Sequence, residues 1–120
     1  MATFKKFEEI LAWQKARLVT NKVYLESNVG RFARDFGLRD QMRRAAVSIM
    51  ANIAEGHGRR TQMEFANFLN IARGSAIEVQ SHLYVALDLE YIDQSYFDEI
   101  YEILNEISKM TISLAQYLRT

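Results

Sequence analysis

The stretch SYFDEIYEILNEISKMTISLAQYL, residues 95–118, decides the fold. Ile100, Leu104, Ile107, Leu114 and Leu118 follow one another at helical spacing, interrupted only by Thr111, and so line one seam of a helix that packs in the left-handed bundle manner. The same rhythm runs upstream through Phe65, Phe68, Leu69, Ala72, Ala76, Val79, Leu83 and Ala86, which predicts a helix over residues 61–89. Two more are predicted at about residues 9–28 and 40–56. Proline is absent, and Gly30, Gly37, Gly56 and Gly58 lie where the rhythm lapses and divide the chain. Thr61 with Glu64 forms a capping box, and Ser95 with Asp98 a weaker version of it. Only the link NVGRFARDFGLR, residues 28–39, is long. The pattern predicts an all-α protein, an up-down-up-down antiparallel four-helix bundle forming a single domain over residues 1–120.

Composition narrows the function classes. The chain has no cysteine, which excludes disulfides and thiolate metal sites and makes a reducing, cytoplasmic setting the expectation. No stretch approaches the roughly 20 apolar residues of a membrane span, and the first residues lack a signal-peptide core. A di-iron centre needs inward Glu-x-x-His pairs. Glu78 and His82 are spaced by four and Glu78 is off the seam, so neither metal nor cofactor is expected.

Net charge is zero, yet residues 1–60 hold 12 Lys/Arg against 6 Asp/Glu, and residues 61–120 hold 3 against 9. A basic half attracts nucleic acid, or it docks on the acidic half of a neighbouring subunit. The split alone does not choose between them.

The helix at residues 40–56 carries Gln41, Arg44, Ser48, Asn52, Glu55 and, just beyond it, Arg59 within about 80° of one another at roughly 100° per residue. Met42, Ala45, Ala46, Ile49, Met50, Ile53 and Ala54 occupy most of the remaining circumference, so the polar stripe is expected to be partly buried and hydrogen-bonded. Ser48, Asn52 and Glu55 are read as packing or interface residues, and the flanking arginines as the partner-binding ones. General acid–base chemistry by Glu55 and His57 is the weaker reading, since neither has an identifiable partner and no nucleophile elbow, phosphate loop or HExxH occurs. Trp13, Tyr24 and Phe65 are read as packing residues rather than base-stacking platforms.

Along the first helix, Ala12, Ala16, Val19 and Val23 share one side while Leu11, Leu18 and Leu25 line another, extended by Phe4. A surplus apolar stripe belongs to an oligomer, or to a helix that its own bundle wraps more fully. Gly74, in mid-helix, costs roughly 1 kcal/mol against alanine and points away from the core, which suggests a close approach at the surface flanked by Arg73, Ile77 and Tyr84.

Three segments together resemble the family of four-helix-bundle proteins named after intervening sequences in 23S ribosomal RNA genes: LAWQKARLVTNKVY (11–24), FGLRDQMRRAAVSIMANIAEGHGR (36–59) and FLNIARGSAIEVQSHL (68–83). The chain departs from the family pattern where Ala33, rather than proline, follows Phe32. The resemblance implies a homo-oligomer, with a pentameric ring favoured. A similar fold occurs in the accessory protein of diversity-generating retroelements, which joins a reverse transcriptase and binds nucleic acid, a parallel at the level of fold alone. The expectation is a non-enzymatic oligomer that binds RNA or DNA through Lys15, Arg17, Lys22, Arg31, Arg34, Arg39, Arg43, Arg44, Arg59 and Arg60. The alternative is a scaffold for other proteins whose basic half serves subunit contacts.

Overall fold

A computed structural model describes residues 4–120. After a 3-10 turn at Phe7–Glu9, the described chain is α1 (Leu11–Glu26), α2 (Gly30–Arg34), α3 (Phe36–His57), α4 (Gln62–Asp88) and α5 (Gln94–Arg119). The four long helices form an antiparallel bundle of 45 × 21 × 19 Å. Both α1 and α4 border α3 and α5, so α1 and α4 occupy opposite corners.

The small residues of the periodic faces set the packing. Ala12, Ala16, Val19 and Val23 of α1, and Ala72, Ala76 and Val79 of α4, are buried against Met42, Ile49 and Ile53 of α3 and Ile100, Leu104 and Ile107 of α5. Alanine on facing helices lets backbones come close. Buried hydroxyls are satisfied locally: Thr111 Oγ1 lies 2.9 Å from the carbonyls of both Ile107 and Ser108. Thr20 Oγ1 donates to Ala16 O at 2.8 Å and lies 3.2 Å from Ala46 O on α3.

Four details differ from the sequence reading. The buried arc of α5 is centred near Thr111, which places Leu114 about 60° off centre and Ala115 about 40°. Ala115 is therefore the core residue there, and Leu114 is half-buried. The start of α5 is capped by Asp93 in place of Ser95: its Oδ1 accepts from Tyr96 N at 2.8 Å. A carboxylate is the stronger cap at a positive helix end. The Thr61–Glu64 box forms as expected, with Glu64 N donating to Thr61 Oγ1 at 3.1 Å and Thr61 Oγ1 3.0 Å from Glu64 Oε1.

The third difference is that residues 28–39 are folded. Gly30 starts α2 with a φ of 58°, a region that favours glycine. Phe32 is buried and stacks on Tyr91 with centroids 5.3 Å apart. Asp35 caps α3 through Leu38 N at 3.2 Å and accepts the Tyr91 hydroxyl at 2.9 Å, while Arg31 Nη2 donates to Leu89 O at 3.0 Å. This cluster starts α3 at Phe36, leaving Gly37 in its first turn, and pins α2 to the α4–α5 connection with no proline at position 33. The fourth difference is Gly56, which interrupts nothing: it lies buried inside α3, where a Cβ would stand 2.7 Å from Phe68 Cβ. Among the described residues, no helix is long and apolar enough to cross a membrane.

Candidate nucleic-acid interface

The basic residues predicted to bind nucleic acid do not form one patch. Lys15 Nζ pairs with Glu106 Oε2 at 2.7 Å and Lys22 Nζ with Glu99 Oε2 at 3.0 Å, both across the antiparallel α1–α5 boundary. The charge split between the two halves of the chain is thus partly compensated within the chain itself, an arrangement that neither sequence reading included. Each pair is partly exposed and contributes about 0–1 kcal/mol.

Arg39 and Arg43 are half-buried and tied to the fold. Arg39 Nε donates to Asp40 Oδ1 at 2.9 Å, its Nη1 donates to Ala33 O at 3.0 Å, and its guanidinium lies 4.7 Å from the Phe36 ring centre. Arg43 Nε donates to the buried Ser27 Oγ at 2.8 Å while its guanidinium sits 4.6 Å over the Tyr24 ring. Arg59 is held by Glu55 Oε1 at 2.7 Å and lies over Phe68 at 4.8 Å. Arg17 lies over Trp13 at 5.8 Å. Arg34, Arg44 and Arg60 are exposed and make no hydrogen bond or ion pair with any described residue.

Two basic clusters result, at opposite ends of α3 and roughly 20 Å apart along its axis by helical rise. One holds Arg31, Arg34, Arg39, Arg43 and Arg44, and the other Arg59 and Arg60.

The polar stripe of α3 divides along its length. Ser48 Oγ meets Ser75 Oγ of α4 at 2.9 Å, and Asn52 Nδ2 donates to Ser48 O at 2.8 Å and to Ser48 Oγ at 3.0 Å. Ser48 and Asn52 are half-buried; Glu55 is exposed and holds Arg59. His57 Nε2 lies 2.9 Å from Phe4 O and its ring meets the edge of Phe65, so it joins the N-terminal segment to the bundle. Among the described residues no group of three or more His, Asp or Glu is placed to hold a metal ion. His82 Nε2 and the exposed Glu78 lie 3.4 Å apart.

The structure also brings together residues that sequence reasoning left apart. A cleft of about 380 Å³ is lined by Tyr24, Asp40, Arg43, Arg44 and Val47. Tyr24, read as packing, is 43% exposed. Its pairing with Arg43 depends on how α1 and α3 align, which no local pattern encodes. Nearer the N-terminus, an apolar groove of about 520 Å³ is lined chiefly by Phe4, Ile10, Leu11, Met110, Leu114 and Tyr117.

Two apolar faces are largely open to solvent, although Tyr84 on the second also meets the Phe97 and Tyr101 rings, with centroids 4.9 and 6.0 Å away. On α1, Leu11, Leu18 and Leu25 are 54%, 45% and 73% exposed. On α4, Ile71, Ile77 and Tyr84 are exposed around Gly74, and a Cβ on Gly74 would meet nothing within 4 Å. The bundle therefore does not wrap α1 more fully, and the two faces lie at opposite corners.

The family model of the 23S rRNA-intervening sequence protein matches residues 8–113, and the chain belongs to that family. It is also similar to the crystal structure of a protein of unknown function from the S23 ribosomal protein family of Bacteroides thetaiotaomicron. That similarity has a TM-score of 0.80 and 27% identity, covering 88% of this chain and 96% of that one. No curated protein matches.

Proposed function

We propose that this member of the 23S rRNA-intervening sequence protein family is a non-enzymatic, cytoplasmic homo-oligomer, a pentameric ring in the favoured arrangement, that binds RNA through its exposed arginines. The carrying observation is that Arg34, Arg44 and Arg60 present guanidinium groups to solvent with no acceptor among the described residues. Guanidinium matches phosphate in geometry and charge. Apolar faces at opposite corners suit a heterologous contact, in which α1 of one subunit meets α4 of the next, and such contacts close into a ring when the rotation between subunits divides a full turn. Repetition around a ring multiplies weak phosphate contacts by effective concentration. The same faces also favour a second reading, a scaffold that engages other proteins.

The test is a titration with structured ribosomal RNA and with duplex DNA at several salt concentrations. We expect log affinity to fall linearly with log salt, and an Arg44→Ala, Arg60→Ala variant to bind with a shallower slope at unchanged oligomer mass. No binding at low salt would refute RNA binding and favour the scaffold. Arg43→Ala is a poor probe, because Arg43 also anchors Ser27.

A further inference from the structure

We infer that the cleft between α1 and α3 binds one unpaired nucleotide of RNA, with the base on the Tyr24–Arg43 stack, its edge at Asp40 and its phosphate at Arg44. The inference rests on the RNA-binding reading and specifies its ligand.

Three features point to a nucleotide rather than phosphate alone. The first is a rigid aromatic platform. Tyr24 is half-exposed, and the guanidinium of Arg43 is fixed over its ring by donating to the buried Ser27 Oγ at 2.8 Å, with Nη2 3.5 Å from Tyr24 O. A guanidinium held over a tyrosine ring before the ligand arrives is a surface on which a base stacks with little ordering cost. The second is a free cation. Arg44, the next residue along, makes no ion pair with any described residue, even Asp40 one turn earlier, so its guanidinium is open to a phosphate oxygen.

The third is a carboxylate in the same cleft. Asp40 has a half-exposed side chain and accepts Arg39 Nε through Oδ1, which leaves Oδ2 open. A carboxylate beside a phosphate site repels the ligand unless it accepts hydrogen bonds from it. Guanine presents two adjacent donors, the ring N–H and the exocyclic amino group, whereas adenine presents only its amino group. Oδ2, with the second lone pair of Oδ1, accepts both guanine donors but a single one from adenine, so Asp40 favours guanine over adenine. A base paired in a duplex has these donors engaged and its faces covered, so the cleft takes single-stranded RNA.

The experiment measures binding of seven-nucleotide single-stranded RNAs, uridines with one central guanosine or adenosine, and of an RNA duplex of equal length. Wild type is expected to prefer guanosine over adenosine by about tenfold and either single strand over duplex. Tyr24→Leu is expected to weaken the guanosine strand by about tenfold while Tyr24→Phe, which keeps the ring, binds as wild type. Asp40→Asn is expected to bring the guanosine-to-adenosine ratio close to one. Oligomer mass is expected to stay unchanged in all three variants. If wild type binds the RNAs but no variant alters affinity or preference, the cleft assignment is overturned and RNA binding elsewhere stands. Binding that falls only in step with oligomer mass overturns it as well. If wild type binds neither these strands nor structured ribosomal RNA at low salt, the RNA reading itself is overturned.

Discussion

Replacing Gly56 by alanine separates two opposing effects at one atom. In an exposed helix the change would stabilise by about 1 kcal/mol, because glycine loses more backbone freedom on folding. At Gly56 the new Cβ would stand 2.7 Å from Phe68 Cβ, 3.0 Å from Phe65 Cδ1 and 3.3 Å from Phe65 O. Carbon atoms pack best at about 3.5–4.0 Å. Two of the obstructing atoms, Phe68 Cβ and Phe65 O, belong to the backbone of α4 or hang directly from it, so no rotamer change clears them. The helices must separate, and because backbone-fixed atoms obstruct, the overpacking cost falls in the upper part of its usual range, about 2–3 kcal/mol. The expected net loss is about 1–2 kcal/mol. Urea unfolding at fixed chain concentration is the assay, since assembly would make stability concentration-dependent. With a slope of about 2 kcal/mol/M, the midpoint should fall by about 0.5–1 M at unchanged slope. A variant as stable as wild type, or more stable, would refute the close approach of α3 and α4 at this point.

Gly74→Ala carries the same helical gain with no obstruction inside the protomer, so any drop in oligomer mass by light scattering would come from a neighbouring subunit; unchanged mass with a higher midpoint would exclude close approach there. Glu90 ends α4 with a φ of 61°, while Tyr91 N donates to Ala86 O at 2.9 Å and Glu90 N to Leu87 O at 3.0 Å. Glu90→Gly should therefore raise stability by about 1 kcal/mol, read as a higher urea midpoint. Ser48→Ala removes the polar link from the α3 stripe to Ser75 of α4 and should cost about 1 kcal/mol, more than Asn52→Ala, whose bonds stay within α3; equal losses would refute this ordering. The Tyr96 phenol is pushed well above the usual tyrosine range by burial first and then by the carboxylates of Glu26 and Glu99. Its folded form keeps a proton that the unfolded chain loses near pH 10, so its stabilising contribution is full below about pH 10 and declines as pH rises further. Urea midpoints measured from pH 8 to 11 should fall less steeply in Tyr96→Phe, and identical slopes would count against it.

Much of the bundle was legible because helical periodicity is local. Ala72, Ala76, Val79 and Leu83 mark the buried face of α4 without reference to any other helix, and Thr61 with Glu64 marks its start within four residues. The candidate site was less legible. Sequence identified Arg43 and Arg44 as a pair, yet the fold gives them different roles: one is stacked on Tyr24 and bonded to Ser27, and the other is open to solvent. Nor could spacing reveal that Asp40 and Tyr24 share a cleft with them.

By itself the sequence determined the four long helices, most of their inward faces, and the existence of a surplus apolar stripe on α1. Tertiary structure alone decided that Lys15 and Lys22 answer Glu106 and Glu99, that Ser48 meets Ser75, that residues 28–39 fold onto Tyr91, and that Gly56 lies beneath Phe68. The difference is physical. A helix face depends on residues three or four apart, which a fixed rise and turn place together. A contact between helices depends on their relative rotation and axial alignment, set by the whole core at once, so residues as distant as Lys15 and Glu106 become neighbours through the packing of alanines and leucines between them.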